Sequence, residues 1–278
     1  MDKELKIAIQ GGPASFHDVV ARQYFEQQRT GIIPCMTFQQ VCAELREGRA
    51  DYAVMAIENT LAGSILGNYT LLQQNPLHII GERYLRIEQN LMALPGQTLA
   101  DIKTVRSHPM ALLQCSKFLV AHPGMQALEA SDTAESAREI QEQQLKGVAA
   151  VASRLAAERY QLTILEERIE DFKDNYTRFL ILAREPKPNE SDTNKASVIL
   201  RLHHRVGELG RVLEVFKRHY INMSLIQSIP NPIQQAEFSI LVDLEYDFIE
   251  AFREAMAEVG EIAINVNLLG NYRRGGMR

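Results

Sequence analysis

Short apolar runs alternate with stretches of helical spacing along the N-terminal part of the chain. Leu5 to Ile9 predicts a strand, Phe16 to Gln27 a helix, Ile32 to Met36 a second strand and Phe38 to Glu47 a second helix. Another strand is expected at Tyr52 to Ile57, with a helix after Gly63. The series resumes at Thr104 to Arg106, followed by a helix from about Met110 to Ala121, a strand around Leu128 and a helix from about Thr133 to Gln144. A strand at Val148 to Val151, a helix ending near Tyr160, a strand from Leu162 to Glu166 and a strand over Asn175 to Leu182 complete it. This alternation predicts α/β architecture with largely parallel sheet. Between the two series, Leu77 to Leu94 has strand-like composition and is expected to cross from one lobe to another. Two α/β lobes around a cleft follow from this pattern.

The segment from Arg184 to Lys195 is polar, contains two prolines and lacks apolar periodicity, so 185–195 is expected to be a linker after a first unit over 1–184. Beyond it the spacing predicts a strand at Ala196 to Leu202, a helix at Glu208 to His219, strands at Ser224 to Ile229 and Ala236 to Leu244, a helix from about Asp247 to Val259 and a strand at Ile262 to Leu269. The order β-α-β-β-α-β is a ferredoxin-like α+β unit over 196–270, leaving 271–278 as a tail. Leu209, Val212, Leu213 and Phe216 in the first helix, and Phe248, Phe252, Ala255 and Met256 in the second, lie at helical spacing and predict one sheet-covering face each.

A length of 278 residues suits this two-unit division. No apolar run approaches the roughly 20 residues that span a bilayer, so a membrane location is not expected. The chain enters its first strand without the features of a signal peptide, which gives a cytoplasmic expectation. Cys35, Cys42 and Cys115 form an odd set without metal-ligand spacing, and a reduced, buried state is expected for them. A net charge of -5 with no sustained basic run gives no footprint for nucleic acid. No metal or cofactor motif is found.

Several segments place small, hydroxylated or amide residues where a strand gives way to a helix. Gln10 to Phe16 carries two glycines that permit close backbone approach, and Ser15 is expected to cap the next helix. Ala56 to Ser64 brings Glu58, Asn59, Thr60 and Ser64 to a strand end, and Ser107 to Cys115 puts Ser107 and His108 before Pro109 at a helix start. Helix N-termini aimed at a cleft favour anions, so a small carboxylate substrate is expected. In Asn175 to Leu182, alternation puts Thr177 and Phe179 on one face of the strand and Arg178 on the other. Taken singly, each segment reads more readily as a turn, a cap or a strand edge than as a site.

In their order and spacing these segments resemble prephenate dehydratase in its stand-alone form with a regulatory ACT domain. Ser-His-Pro-x-Ala-Leu-x-Gln-Cys matches in full at Ser107 to Cys115, and Asn-x-Thr-Arg-Phe at Asn175 to Phe179. Ala14 replaces a second glycine of the N-terminal turn, where it is expected to narrow the pocket slightly, and Ala56 and Thr60 replace the commoner proline and serine. The resemblance implies a two-lobed, periplasmic-binding-protein-like catalytic domain followed by a ferredoxin-like ACT domain. It implies conversion of prephenate to phenylpyruvate with loss of carbon dioxide and water, without a cofactor. Thr177 would serve the departing hydroxyl and Arg178 would grip a carboxylate. Ser15, Asn59, Thr60, Ser107 and His108 would position substrate, Phe16 and Phe179 would form apolar walls, and Asn175 would hold the loop carrying Thr177.

In the C-terminal unit the resemblance implies an L-phenylalanine effector site involving Gly207, Glu208, Leu209, Asn222, Gln227 and Ser228, and a homodimer or tetramer formed through ACT domains. Gln227 and Ile229 stand where the family has charged Glu and Arg, which is expected to weaken the ordering of the effector loop. The competing readings are an arogenate dehydratase, acting on the amino analogue, and a catalytically silent small-carboxylate sensor.

Overall fold

A computed structural model describes residues 4–186, 192–229 and 237–276. Residues 187–191 of the expected linker, Pro230, Ala236, the N-terminal 1–3 and the final 277–278 of the expected tail lie outside the described residues.

The first lobe runs β1 (Leu5–Gln10), α1 (Phe16–Tyr24), β2 (Thr30–Cys35), α2 (Phe38–Arg46), β3 (Tyr52–Asn59), β4 (Gly63–Ser64), α3 (Leu66–Gln74) and β5 (His78–Arg86). The chain then leaves for the second lobe. There it forms β6 (Asn90–Ala93), β7 (Thr104–Ser107), α4 (Pro109–Gln114), α5 (Ser116–Ala121), β8 (Gln126–Glu129), α6 (Thr133–Glu142), β9 (Val148–Ala152), α7 (Arg154–Arg159) and β10 (Thr163–Glu166). It returns as β11 (Tyr176–Ala183), which inserts between β3 and β5. The first sheet is ordered β2-β1-β3-β11-β5 and the second β10-β6-β9-β7-β8. Two straps, 87–89 and 167–175, therefore join the lobes. They are bonded to the chain and to each other: Ile87 donates its N–H to the Asn175 carbonyl, Ile169 to the Gln89 carbonyl (both 2.8 Å), and Gln89 to the Glu170 carboxylate (2.9 Å).

Parallel pairing holds for β2-β1-β3 and for β8-β7-β9. The expectation of largely parallel sheet is corrected at β5, β6, β10 and β11, which pair antiparallel. The strands flanking the interlobe crossings run against their neighbours. A helix expected through Met110 to Ala121 is two short helices, with Cys115 in a non-helical conformation (φ -111°, ψ 24°) between them. Helix starts follow their caps: Ser15, Thr37, Asp132 and Ser153 each accept a backbone N–H from three residues on.

The C-terminal unit is β12 (Lys195–His203), α8 (Glu208–Arg218), β13 (Asn222–Ile229), β14 (Glu237–Glu245), α9 (Ile249–Ile262) and β15 (Asn265–Tyr272). Its antiparallel sheet is ordered β13-β14-β12-β15, the ferredoxin-like arrangement. Two boundaries move. Lys195 belongs to β12 and is buried rather than part of a linker, and Asn271 and Tyr272 belong to β15 rather than to a tail. The reason is packing: α8 and α9 cover one face of this sheet, and the other face lies on the first lobe. Ile199, Leu241, Leu269 and Tyr272 share one apolar core with Ile79, Leu180 and Leu182. Gly270 makes that approach feasible, because a Cβ there would fall 2.0 Å from the Ile79 carbonyl oxygen. No helix among the described residues is long and apolar enough to cross a membrane.

Candidate active site

Thr177 lies one residue inside β11, where antiparallel pairing sets it directly opposite Asn59 at the end of β3. The register turns two separate motifs into one cluster. Asn59 Oδ1 accepts N–H bonds from Leu61 (3.0 Å) and Ala62 (2.9 Å), which fixes the amide so that Nδ2 is the donor. That Nδ2 faces Asn175 Oδ1 at 2.7 Å, the Tyr176 carbonyl at 3.2 Å and Thr177 Oγ1 at 2.9 Å. A hydroxyl that accepts here keeps its own proton for something else. Thr177 is 8% exposed and lines the interlobe cleft, a cavity of about 260 Å³. The Thr177 O–H is thus aimed by its neighbours at whatever fills the cleft.

Of the residues expected at the site, Ser15, Phe16, Asn59, His108, Thr177 and Phe179 line this cavity. Ser15 caps α1, its Oγ accepting the Asp18 N–H at 3.4 Å. His108 caps α4 through Nδ1, which accepts the Met110 N–H at 3.2 Å. The other expected residues are committed elsewhere. Ser107 is fully buried and donates its hydroxyl to the Val151 carbonyl at 2.6 Å, tying β7 to β9. Thr60 accepts the Tyr176 N–H at 3.0 Å and contacts the Asp174 carbonyl at 3.3 Å, so it anchors the returning strap and not substrate. Asn175 is fully buried and its Oδ1 accepts from the Asn59 amide.

Arg178 requires the largest correction. It is 3% exposed and points to the opposite face of β11 from Thr177. There its Nε donates to Glu82 at 2.7 Å, its Nη1 lies 2.5 Å from Asp243, and Nη2 donates to the Tyr272 hydroxyl at 3.1 Å. Lys195 adds a second cation 3.1 Å from Glu82. The guanidinium thereby bridges β11 to the C-terminal sheet and is out of reach of a carboxylate in the cleft. Ala14 is also reassigned. At φ 69° its N–H meets the Asp18 carboxylate (2.7 Å), and its methyl packs in the second lobe's core instead of narrowing the cavity. The Ala14 carbonyl accepts the Ser153 hydroxyl at 2.7 Å, latching the first turn to the second lobe.

Among the cleft residues that the sequence did not single out are His17, Gln89 and Asp132. His17 makes an edge contact with Phe179 (5.0 Å, 87°), and burial lowers its pKa to about 4, so the ring is neutral with Nε2 unpartnered. Gln89, on a strap, has a buried Oε1 without a partner. Asp132 caps α6, and desolvation pushes its carboxyl above the usual range. His17 follows Phe16 within the capped first turn and Asp132 precedes a helix, so local signals existed for both; Gln89 carried none. The free thiols of Cys35, Cys42 and Cys115 are buried, with burial raising them to about 11, 11 and 12 respectively. A larger hollow of about 690 Å³ beside Tyr24 and Arg184 contains none of the motif residues.

In the C-terminal unit, Glu208, Leu209 and Ser228 line a separate hollow of about 330 Å³ with His203 and Arg205. Gly207 precedes α8 at φ 90°. Gln227 Nε2 donates to the Ser228 carbonyl at 3.1 Å, and Asn222 lies exposed at the far end of β13. Ile229 is buried in the core shared with the first lobe, so its apolar character serves interdomain packing.

The prephenate dehydratase family model matches residues 7–187. A chloroplastic arogenate dehydratase/prephenate dehydratase of Arabidopsis thaliana is 35% identical over 287 residues, covering 98% of this chain and 72% of its own length. A bifunctional chorismate mutase/prephenate dehydratase of Aquifex aeolicus is 35% identical over 277 residues, covering 98% of this chain and 74% of that protein. The structure of prephenate dehydratase from Arthrobacter aurescens in complex with L-Phe matches with a TM-score of 0.86 at 26% identity, covering 99% of this chain and 92% of that one. The two-lobed fold, the Asn59–Thr177 pairing and these matches together establish that the chain belongs to the prephenate dehydratase family.

Proposed function

We propose that this chain converts prephenate to phenylpyruvate, with Thr177 as the group that serves the departing hydroxyl. The observation that carries this is the fixed Asn59 amide, which occupies a lone pair of Thr177 Oγ1 and leaves the O–H free to donate into the cleft. In the reaction the ring carboxylate leaves as carbon dioxide, and its bonding electrons complete the aromatic ring. The ring C–O bond breaks on the opposite carbon, and the hydroxyl takes up one proton to leave as water. Aromatisation drives the chemistry, so placement and one directed hydrogen bond are the protein's main contributions. A threonine hydroxyl is too weak an acid to act alone, and Thr177 would pass on a proton replaced from solvent in the cleft. The first turn of α1, with Phe16 and His17 at the cleft, offers backbone N–H groups for a substrate carboxylate.

Purified protein incubated with prephenate at neutral pH, beside an enzyme-free control, should form phenylpyruvate, which absorbs strongly in alkali. Thr177→Val should retain the fold and lose about 100-fold or more in kcat. Normal turnover by that variant would remove Thr177 from the mechanism. The C-terminal unit is read as an ACT domain, with the hollow between Glu208 and Ser228 as an effector site. The L-Phe complex of the Arthrobacter aurescens relative supports phenylalanine as the effector. Unchanged activity in millimolar phenylalanine would reject it. Assembly through paired C-terminal domains and a cytoplasmic location belong to the same reading; three buried free thiols suit a reducing compartment.

A further inference from the structure

Among the described residues lining the cleft, Asp132 is the only Asp, Glu, Lys or Arg. Its Oδ1 is occupied by the Glu135 N–H at 3.0 Å. Its Oδ2 reaches across to the first lobe, where it lies 2.9 Å from the position a Cβ on Gly11 would take. Among the described residues lining the cleft no Lys or Arg answers this charge, the nearby basic group being the His108 imidazole; Arg138, on the same helix, is engaged by Glu135 and Glu142. The carboxylate therefore borders the cleft with its desolvation only partly offset, by the Glu135 and Ala134 N–H groups at the start of α6 and by His108.

The two candidate substrates of such a site differ in one group. Prephenate carries a keto oxygen on its side chain, and arogenate carries an ammonium there. Thr177 is in the first lobe, and the hydroxyl it serves is on the ring carbon opposite the one bearing the side chain. With that hydroxyl at Thr177, the side chain extends away from the first lobe's floor, toward the second lobe and Asp132. A partly desolvated carboxylate without a Lys or Arg partner gains from a ligand ammonium and repels an additional ligand anion. We propose that Asp132 reads the substrate side chain, so that the enzyme accepts arogenate as well as prephenate and Asp132 sets the preference toward the amino form. This rests on the dehydratase reading of the cleft and adds its specificity.

The test is kcat/KM for both substrates, following phenylpyruvate from prephenate and phenylalanine from arogenate, in the full-length protein and in Asp132→Asn and Asp132→Ser. Asn and Ser both cap helices, so α6 keeps its start. The expected result is that wild type converts both substrates and that each variant lowers the arogenate-to-prephenate ratio about tenfold or more, the size of one charged hydrogen bond. A ratio unchanged in both variants, or a wild type that converts prephenate and not arogenate, overturns the proposal. Conversion of neither substrate by wild type would instead overturn the dehydratase reading on which it stands.

Discussion

Replacing Arg178 by methionine tests whether this residue belongs to the substrate site or to the domain interface. The side chain is 3% exposed and touches Glu82, Asp243 and Tyr272. Removing one partner of a buried ion pair costs about 3–5 kcal/mol, because the remaining charge stays desolvated. Glu82 keeps Lys195 at 3.1 Å and the Gly275 N–H at 3.0 Å, so the loss falls mainly on Asp243. Asp243 retains the Ser197 hydroxyl at 2.5 Å. The lower end of the range, about 3 kcal/mol, is therefore expected, equivalent to a fall in melting temperature of about 6–12 °C for a chain of this size. Thermal and urea unfolding measure it directly. The double variant Arg178→Met with Asp243→Leu should recover part of the loss, since it removes the orphaned charge as well as its partner. A variant that melts within about 2 °C of wild type, with KM for prephenate raised and kcat intact, would refute the interface role and return Arg178 to the cleft.

Two further outcomes test the site's electrostatics. Asn59→Asp exchanges the donor facing Thr177 Oγ1 for an acceptor, which would draw the Thr177 proton away from the cleft; kcat should fall about 100-fold, with a loss of urea stability as well because the carboxylate also faces the Asn175 Oδ1 and the Tyr176 carbonyl. A kcat within about threefold of wild type would show that the donor is dispensable. His17 is held near 4 in the folded chain against 6.5 unfolded, so its contribution to stability is complete above pH 6.5 and lost as pH falls toward 4. Urea unfolding should show about 2 kcal/mol less stability at pH 5 than at pH 7 from this group, and His17→Gln should flatten that slope. An identical slope in the variant would mean that the ring titrates normally.

Much of the fold is written in local pattern. The ferredoxin-like order and both lobes follow from apolar periodicity, and the crossing near Leu77 to Leu94 from strand-like composition. Partnership between distant elements is not local, and the misreadings concentrate there. Arg178 neighbours Thr177 in sequence, yet the two-residue repeat of a strand assigns them to opposite faces, and nothing near Arg178 announces Asp243 on another domain. Ser107 and Thr60 carry the hydroxyls that a binding site would use, but the nearest free carbonyls and N–H groups belong to the backbone of neighbouring segments. Asn59 and Thr177 were each visible as motif residues, whereas their contact depended on β11 returning from the second lobe to pair with β3. Gln89 became a cleft residue only because a strap passes there.

The close seat of Gly270 on Ile79 also bears on how such a chain can be inherited. A lineage that kept only the segment through Ala183 would present Ile79, Leu180 and Leu182 to water, along with Glu82 and Arg178 stripped of Lys195, Asp243 and Tyr272. Loss of the C-terminal unit would thus have to be accompanied by polar replacements across that whole face. Truncation of this architecture at the C-terminal end is opposed by a surface whose composition requires it to be covered.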